Sequence, residues 1–160
     1  MLDNFIFRKN TTDENIIKEI LVKEAYRKKK LNFHIEQDDV WLDGGSHIGI
    51  FGLYAAKNGC KKVYCYEPET ENYEILQKNI QTINNEYQSS LESHKYAINQ
   101  QGGKHKFTIA PNTWRHSLIT HYKKPLPTVE IDCIGIDEVL QKHPDINCIK
   151  LDIEGSELEI

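Results

Sequence analysis

Asp43-Gly44-Gly45-Ser46-His47-Ile48-Gly49 is the stretch on which the fold turns. It stands where a short buried-strand pattern, Val40-Trp41-Leu42-Asp43, gives way to Ile48 to Asn58, an apolar stretch that reads as a helix ended by Gly59. Glycines at such a handover let the backbone turn sharply and let a ligand lie against bare N–H groups. Outward from this turn the pattern repeats. Lys62 to Tyr66 reads as a second strand, about Glu71 to Asn84 as a helix with Tyr73, Leu76, Ile80 and Ile83 on one face, and Ser93 to Ile98 as a weaker third strand. Strand and helix in alternation predict an α/β fold with a Rossmann-like parallel sheet, strand order 3-2-1-4, and helices on both faces.

Beyond Ile98 the period changes. Gly102-Gly103 signals a turn, and Lys104 to Ile109 and Thr128 to Ile134 alternate polar with apolar residues. They predict an antiparallel excursion between strands 3 and 4, with Asn112 to Tyr122 as its loop. Asp137 to Gln141 reads as a short helix, and Ile146 to Asp152 as the fourth strand, running into Glu154-Gly155. Toward the N-terminus, Thr11-Thr12-Asp13-Glu14 reads as a capping box ahead of Ile16, Ile17, Ile20, Leu21 and Ala25 at helical spacing. Lys28 to Lys30 would close that helix with charge suited to its dipole. The expected organisation is one domain over 1–160: an N-terminal helical segment, 1–36, and a cofactor-binding core, 37–160.

Composition narrows the function. The chain has 160 residues, the size of a single domain, and its 20 Lys and Arg against 24 Asp and Glu leave a net charge of -4. No global field draws nucleic acid, and Lys28 to Lys30 and Lys123-Lys124 read as solvated charge. The longest nearly apolar run, Ile48 to Ala56, is half of the roughly 18 residues a membrane span needs, so no membrane partner is expected. Cys60, Cys65, Cys133 and Cys148 form no Cys-x-x-Cys pair, and no metal site is expected. Met1 to Phe5 shows no leader pattern, which points to a cytoplasmic location with reduced thiols.

The chemistry begins at Glu67. It ends the second strand, where an acid in a Rossmann-like unit grips two ribose hydroxyls. A dinucleotide would place a dianionic pyrophosphate on the glycine loop and favour the spacing G-x-G-x-x-G, whereas this loop reads D-G-G-S-H-I-G. An aspartate at its head would repel pyrophosphate and attract the ammonium and sulfonium of S-adenosylmethionine. The bland alternative, a strand-to-helix turn with no ligand, leaves Glu67 and Pro68 unexplained.

The combination resembles the FkbM family of class I, S-adenosylmethionine-dependent O-methyltransferases, from Val40 to Glu159. Asp43 to Gly49 resembles the family's D-x-G-x-x-x-G loop and Tyr66-Glu67-Pro68-Glu69 its F-E-P segment. Tyr96-Ala97-Ile98 with Gly102-Gly103 and Phe107 is similar to the stretch after the third strand, and Ile136-Asp137-Glu138-Val139-Leu140 loosely resembles T-L-D-E-L-L. Ile149-Lys150-Leu151-Asp152-Ile153-Glu154-Gly155-Ser156-Glu157 is close to I-K-I-D-V-E-G-A-E and is the most specific of these.

The resemblance implies that Asp43, Gly45 and Ser46, with Gly44, His47 and Gly49 of the same loop, surround the methionine end of S-adenosylmethionine. It implies that Glu67, followed by Pro68, takes the ribose, that Ala97 lies near the adenine, and that Asp152 faces the methionine moiety or the acceptor. Asp152 and Glu154, two apart at the end of a strand, are candidates for orienting a hydroxyl and accepting its proton; the alternatives are a structural role or a divalent cation. His47 and His116 are further candidate bases. The implied acceptor is a small molecule or glycan, a hydroxyl of a sugar or of a glycosylated or polyketide product. The family continues past E-G-A-E through further strands, so the C-terminal strands are expected to be missing and the fourth strand to expose an apolar edge. A truncated chain, a partner chain and self-association are three explanations of that edge. Two rival readings stand beside this one. A nucleic-acid base methyltransferase would carry N-P-P-Y or D-P-P-Y where this chain has Asp152-Ile153-Glu154-Gly155. A non-catalytic module that binds S-adenosylmethionine or a protein partner would keep the loop and lose turnover.

Overall fold

The computed structural model describes residues 4–26, 34–108, 126–153 and 160. Along the chain run α1 (Asp13–Ile17, continued by a π-helical stretch, Lys18–Val22), β1 (Val40–Gly44), α2 (Ile50–Lys57), β2 (Lys62–Tyr66), α3 (Thr70–Tyr87) and β3 (Ser90–His94). After these come β4 (Ala97–Asn99), β5 (Gly103–Thr108), β6 (Thr128–Gly135), α4 (Ile136–Lys142) and β7 (Cys148–Leu151). Lys28 to Lys30, the loop Asn112 to Tyr122 with His116, Lys123-Lys124, and Glu154 to Glu159 lie outside the described residues.

The main sheet has the order β3-β2-β1-β7, and every pair is parallel. This is the 3-2-1-4 order expected from the alternation of elements. Side chains alternate across it. Trp41, Val63, Cys65 and Leu91 point to one face and pack with α2 and with Leu76, Ile80 and Ile83 of α3. Leu42, Tyr64 and Tyr66 point to the other, against Ile98, Ile134 and Val139. Helix α2 is buried from Ile50 through Ala56, which is why its sequence carries no polar stripe. Leu76 and Ile83 are fully buried, each worth about 1.5–3 kcal/mol relative to exposure.

Two sequence expectations need correction. The third strand is Ser90–His94, and Ala97–Asn99 belongs to a second sheet of order β4-β6-β5, parallel between β4 and β6 and antiparallel between β5 and β6. Ser90 to His94 has Leu91 as its single aliphatic residue, so its pattern is faint, and the exposed Lys95 and Tyr96 separate the two strands. The antiparallel excursion is thus a separate small sheet. The N-terminal helix ends at Val22, short of Lys28 to Lys30, because Glu24 takes a left-handed turn at φ 47°. No side chain caps it at Thr12. Asp13 is instead its first residue and is fully buried.

An extended arm precedes that helix and lies against α3. Ile6 N donates to Asn79 Oδ1 (2.7 Å), while Asn79 Nδ2 donates to Ile6 O (2.9 Å) and to Ile48 O (2.8 Å). One buried amide thus fastens the arm to the glycine loop at Ile48.

Candidate functional site

The glycine loop is shaped by backbone that only certain residues tolerate. Gly45 (φ 73°) and Gly49 (φ 90°) are left-handed, and His47 between them takes φ 52°, uncommon for a residue with a side chain. A Cβ on Gly45 would collide with the Asp152 carbonyl, so the end of β1 and the end of β7 meet backbone to backbone. Asp152 N closes that junction by donating to Gly44 O at 3.0 Å.

The loop spends its amides internally. Gly45 N and Ser46 N both donate to Tyr66 O (3.0 Å each), Gly49 N donates to Ser46 O (2.8 Å), and His47 N donates to Glu67 Oε2 (2.8 Å). The bare N–H cradle expected from the glycines is therefore absent at these four positions. Ser46 Oγ turns inward to Asp43 O (2.7 Å).

Asp43 is fully buried and paired with Lys150, whose Nζ lies 2.8 Å from Asp43 Oδ1 and donates to Gly45 O at 3.2 Å. Burial alone would lower the Lys150 pKa, but the Asp43 carboxylate, with Tyr26 and Asp152 behind it, carries it above the ordinary lysine value. The Asp43 charge is therefore already answered, and the repulsion of pyrophosphate expected from this aspartate is largely cancelled. The occupied loop amides discriminate better, since a pyrophosphate needs free N–H groups. Asp43 Oδ2 still lacks a hydrogen-bond partner among the described residues.

Glu67 sits at the end of β2 with 5% of its surface exposed. Besides His47 N, its carboxylate accepts from Glu69 N (3.0 Å) and Asn72 Nδ2 (3.4 Å) at Oε1. Burial pushes its pKa up to about 7, against the pull of those donors. Two carboxylate oxygens offer about four acceptor sites, and these three donors leave one, on Oε2, for a ribose hydroxyl.

Sequence reasoning missed what surrounds this acid. Arg8 of the arm forks onto Asp13 (Nε to Oδ2 3.0 Å, Nη2 to Oδ1 3.1 Å), donates from Nη2 to Asn72 Oδ1 (2.7 Å) and lies 3.2 Å from His47 Nε2. His47 Nε2 is also 3.4 Å from Asp13 Oδ1. Burial raises the Asp13 pKa, yet the Arg8 hydrogen bonds and the nearby His47 bring it below the usual carboxylate value. Lys150 carried a readable signal: a lysine inside an apolar strand whose neighbour in the expected order is the strand bearing Asp43. For Arg8 and Asn72 the local sequence holds none.

The other expected residues fall as follows. Gly44 has no room for a side chain, with Leu151 Cδ2 2.7 Å and Ile98 Cδ1 3.1 Å from where its Cβ would stand. Ala97 is buried at the start of β4, the strand that brings Ile98 to the loop. Pro68 is half-buried between Glu67 and the N-cap of α3. The Asp152 residue is exposed just past β7. Glu154 and His116 lie outside the described residues, so the acid pair is not placed. Among the described residues no three His, Cys, Asp or Glu side chains group as a metal site, and no helix is long and apolar enough to cross a membrane. A cavity of about 290 Å³ beside Lys150 is lined by Tyr26, Trp41, Phe51, Ile149 and Leu151. No loop residue lines it, so it is separate from the site built around Glu67.

Comparison with known proteins follows this geometry. The family described as Methyltransferase FkbM domain matches residues 43–160. Hexuronic acid methyltransferase AglP of Haloferax volcanii is 26% identical over 127 residues, covering 78% of this chain and 49% of that protein. The crystal structure of Methyltransferase FkbM from Methylobacillus flagellatus KT superimposes with a TM-score of 0.53 at 20% identity, covering 84% of this chain and 31% of that one. The chain thus spans about half the length of AglP and under a third of the solved structure. It belongs to the FkbM methyltransferase domain family.

Proposed function

We propose that this member of the FkbM methyltransferase domain family binds S-adenosylmethionine at the β1–β2 end of the sheet and O-methylates a hydroxyl of a sugar or glycosylated product. The observation that carries the reading is the buried Glu67 carboxylate beside a glycine loop that already uses the amides of Gly45, Ser46, His47 and Gly49. Such a site suits a nucleoside without a pyrophosphate. The name of AglP, a hexuronic acid methyltransferase, supports a sugar acceptor.

The residues present fit the cofactor. Glu67 would hold a ribose hydroxyl, and Asp43 Oδ2 would accept from the methionine ammonium. When bound, S-adenosylmethionine supplies a methyl group already activated on a sulfonium. The protein then has to align an acceptor oxygen and receive its proton, which together contribute through positioning and about 10²–10⁴-fold through a base. Asp152 is the proposed base, exposed where β7 abuts the loop; Glu154 and His116 are its alternatives.

Titration calorimetry with S-adenosylhomocysteine and with NAD tests the cofactor. Tighter binding of S-adenosylhomocysteine is expected, with Glu67→Ala weakening it by roughly tenfold or more. Tighter binding of NAD overturns the reading. Transfer of labelled methyl to a hexuronic acid glycan tests the reaction, and Asp152→Asn is expected to slow it at least about tenfold. Full activity in Asp152→Asn would place the base elsewhere.

A further inference from the structure

Arg8 and Asp13 lie outside the matched domain, which begins at residue 43, yet they are built into the surroundings of Glu67. We propose that the N-terminal arm positions the ribose-binding carboxylate: the Arg8–Asp13 pair fixes His47 and Asn72, and these two fix Glu67.

Each link is geometric. Asn72 holds its amide between two partners, accepting from Arg8 Nη2 at Oδ1 (2.7 Å) and donating from Nδ2 to Glu67 Oε1 (3.4 Å). A guanidinium can only donate and an ionised carboxylate only accept, so Arg8 and Glu67 together fix the amide with its NH2 toward Glu67. Without Arg8 the amide loses its 2.7 Å contact, and the 3.4 Å contact with Glu67 is less firmly held. The second link is His47. Its left-handed backbone aims its N–H at Glu67 Oε2 (2.8 Å), and its ring is held between Arg8 and Asp13. Asp13 is buried completely, so its ionised form depends on the bidentate contact with Arg8. The arm is itself anchored at Ile6 by Asn79, which places Arg8 two residues from a fixed point.

This inference rests on the S-adenosylmethionine reading, since it assigns Glu67 a ligand. It predicts a change in the pH dependence of binding as well as in affinity. A ribose hydroxyl that donates to Oε2 needs Glu67 ionised. The charged and titratable groups near Glu67 are Glu69 and Glu71 at the start of α3, His47 on the loop, and Arg8 and Asp13 on the arm. Loss of the donors that the arm orients moves the protonation of Glu67 to higher pH, so binding fails at a higher pH than in the unaltered chain.

The test is calorimetric titration of S-adenosylhomocysteine from pH 6 to 9 into the full chain and into Arg8→Gln, Arg8→Lys, Asp13→Asn and Ser89→Ala. Ser89 Oγ donates to Cys60 O at the far end of the sheet, so Ser89→Ala weakens packing without touching the site. Arg8→Gln is expected to weaken binding about tenfold at pH 7 and to move its pH midpoint upward. Arg8→Lys recovers part of the affinity, and Ser89→Ala shifts neither quantity. Circular dichroism confirms that each variant is folded. If Asp13→Asn does not fold, the Arg8 pair decides. Midpoints unchanged in folded Arg8→Gln overturn the positioning role while leaving the cofactor reading intact. Absence of binding by the unaltered chain overturns both.

Discussion

The two faces of the main sheet bury polar groups in opposite ways. On the glycine-loop face, charge is buried in answered pairs: Lys150 on Asp43, Arg8 on Asp13, and three donors on Glu67. On the other face the polar groups are rings. His143 lies over Tyr64 with centroids 3.8 Å apart, and His94 stacks on Tyr66 at 4.6 Å and 18°. Tyr66 Oη, His94 Nε2 and His143 Nε2 are buried without hydrogen-bond partners among the described residues. Paired charge fixes directions and builds a site, whereas neutral rings fill space and hold the second layer on. The first face is thus vulnerable to losing a partner, and the second to gaining a proton.

The largest expected effect breaks a pair. Lys150→Met leaves Asp43 in apolar surroundings, at a cost of about 3–5 kcal/mol in urea unfolding. Adding Asp43→Leu should recover much of that, because apolar replacement of a whole buried pair is often neutral. A single-variant loss under about 1 kcal/mol would show that Asp43 is not committed to Lys150.

The next effect sets the faces against each other by pH. Burial raises Glu67 from 4.5 to about 7, so between these values the folded chain keeps a proton that the unfolded chain has lost. Glu67 therefore costs stability as pH rises from 4.5 to 7, in total about 3 kcal/mol. Burial lowers His94 and His143 from 6.5, helped by the neighbouring Lys142 charge. There the unfolded chain binds the extra protons, so stability is lost as pH falls below 6.5. The two contributions oppose each other between pH 4.5 and 6.5. Unfolding free energy against pH should be flatter for the unaltered chain than for Glu67→Gln, which keeps the acid loss alone. A double change of His94→Phe with His143→Phe should gain stability on acidification. Three parallel curves would end the contrast between the faces.

The smallest effect marks where burial stops mattering. Lys62 and Asp145 are 3.0 Å apart but 32% and 43% exposed. Lys62 holds the Asp145 carboxyl below its usual value, mainly through their hydrogen bond. Solvent screens such a pair, and Lys62→Met should cost about 0–1 kcal/mol, less still in added salt. A larger, salt-insensitive loss would mean that this rim behaves like the interior.

Much of this contrast was open to reading in the sequence, and the unread part has a common cause. Val40 to Asp43 and Lys62 to Tyr66 are dense with apolar residues, so periodicity placed β1 and β2, and the acid at the end of β2 followed. Ser90 to His94 carries one aliphatic side chain, too little to mark β3 or separate it from Ala97. Asp13 looked like part of a capping box because Thr-Thr-Asp-Glu satisfies that local pattern; its partner Arg8 is fixed by tertiary packing, not by helix capping. Arg8, Asn72 and Lys150 all act through partners on other elements, and local propensity holds no record of such pairings.

The backbone contact between Gly45 and Asp152 also orders events in time. Lys150 follows Gly45 by 105 positions. A chain made at about 5–20 residues per second therefore leaves the ribosome with Asp43 lacking its counter-charge for roughly 5–20 s. Through that interval the arm, the loop and Glu67 can already assemble on α2, β2 and α3. The carboxylate at the head of the loop meanwhile stays in water. Docking of β7 dries Asp43 and supplies its ammonium in one step, so the site waits for β7 to arrive.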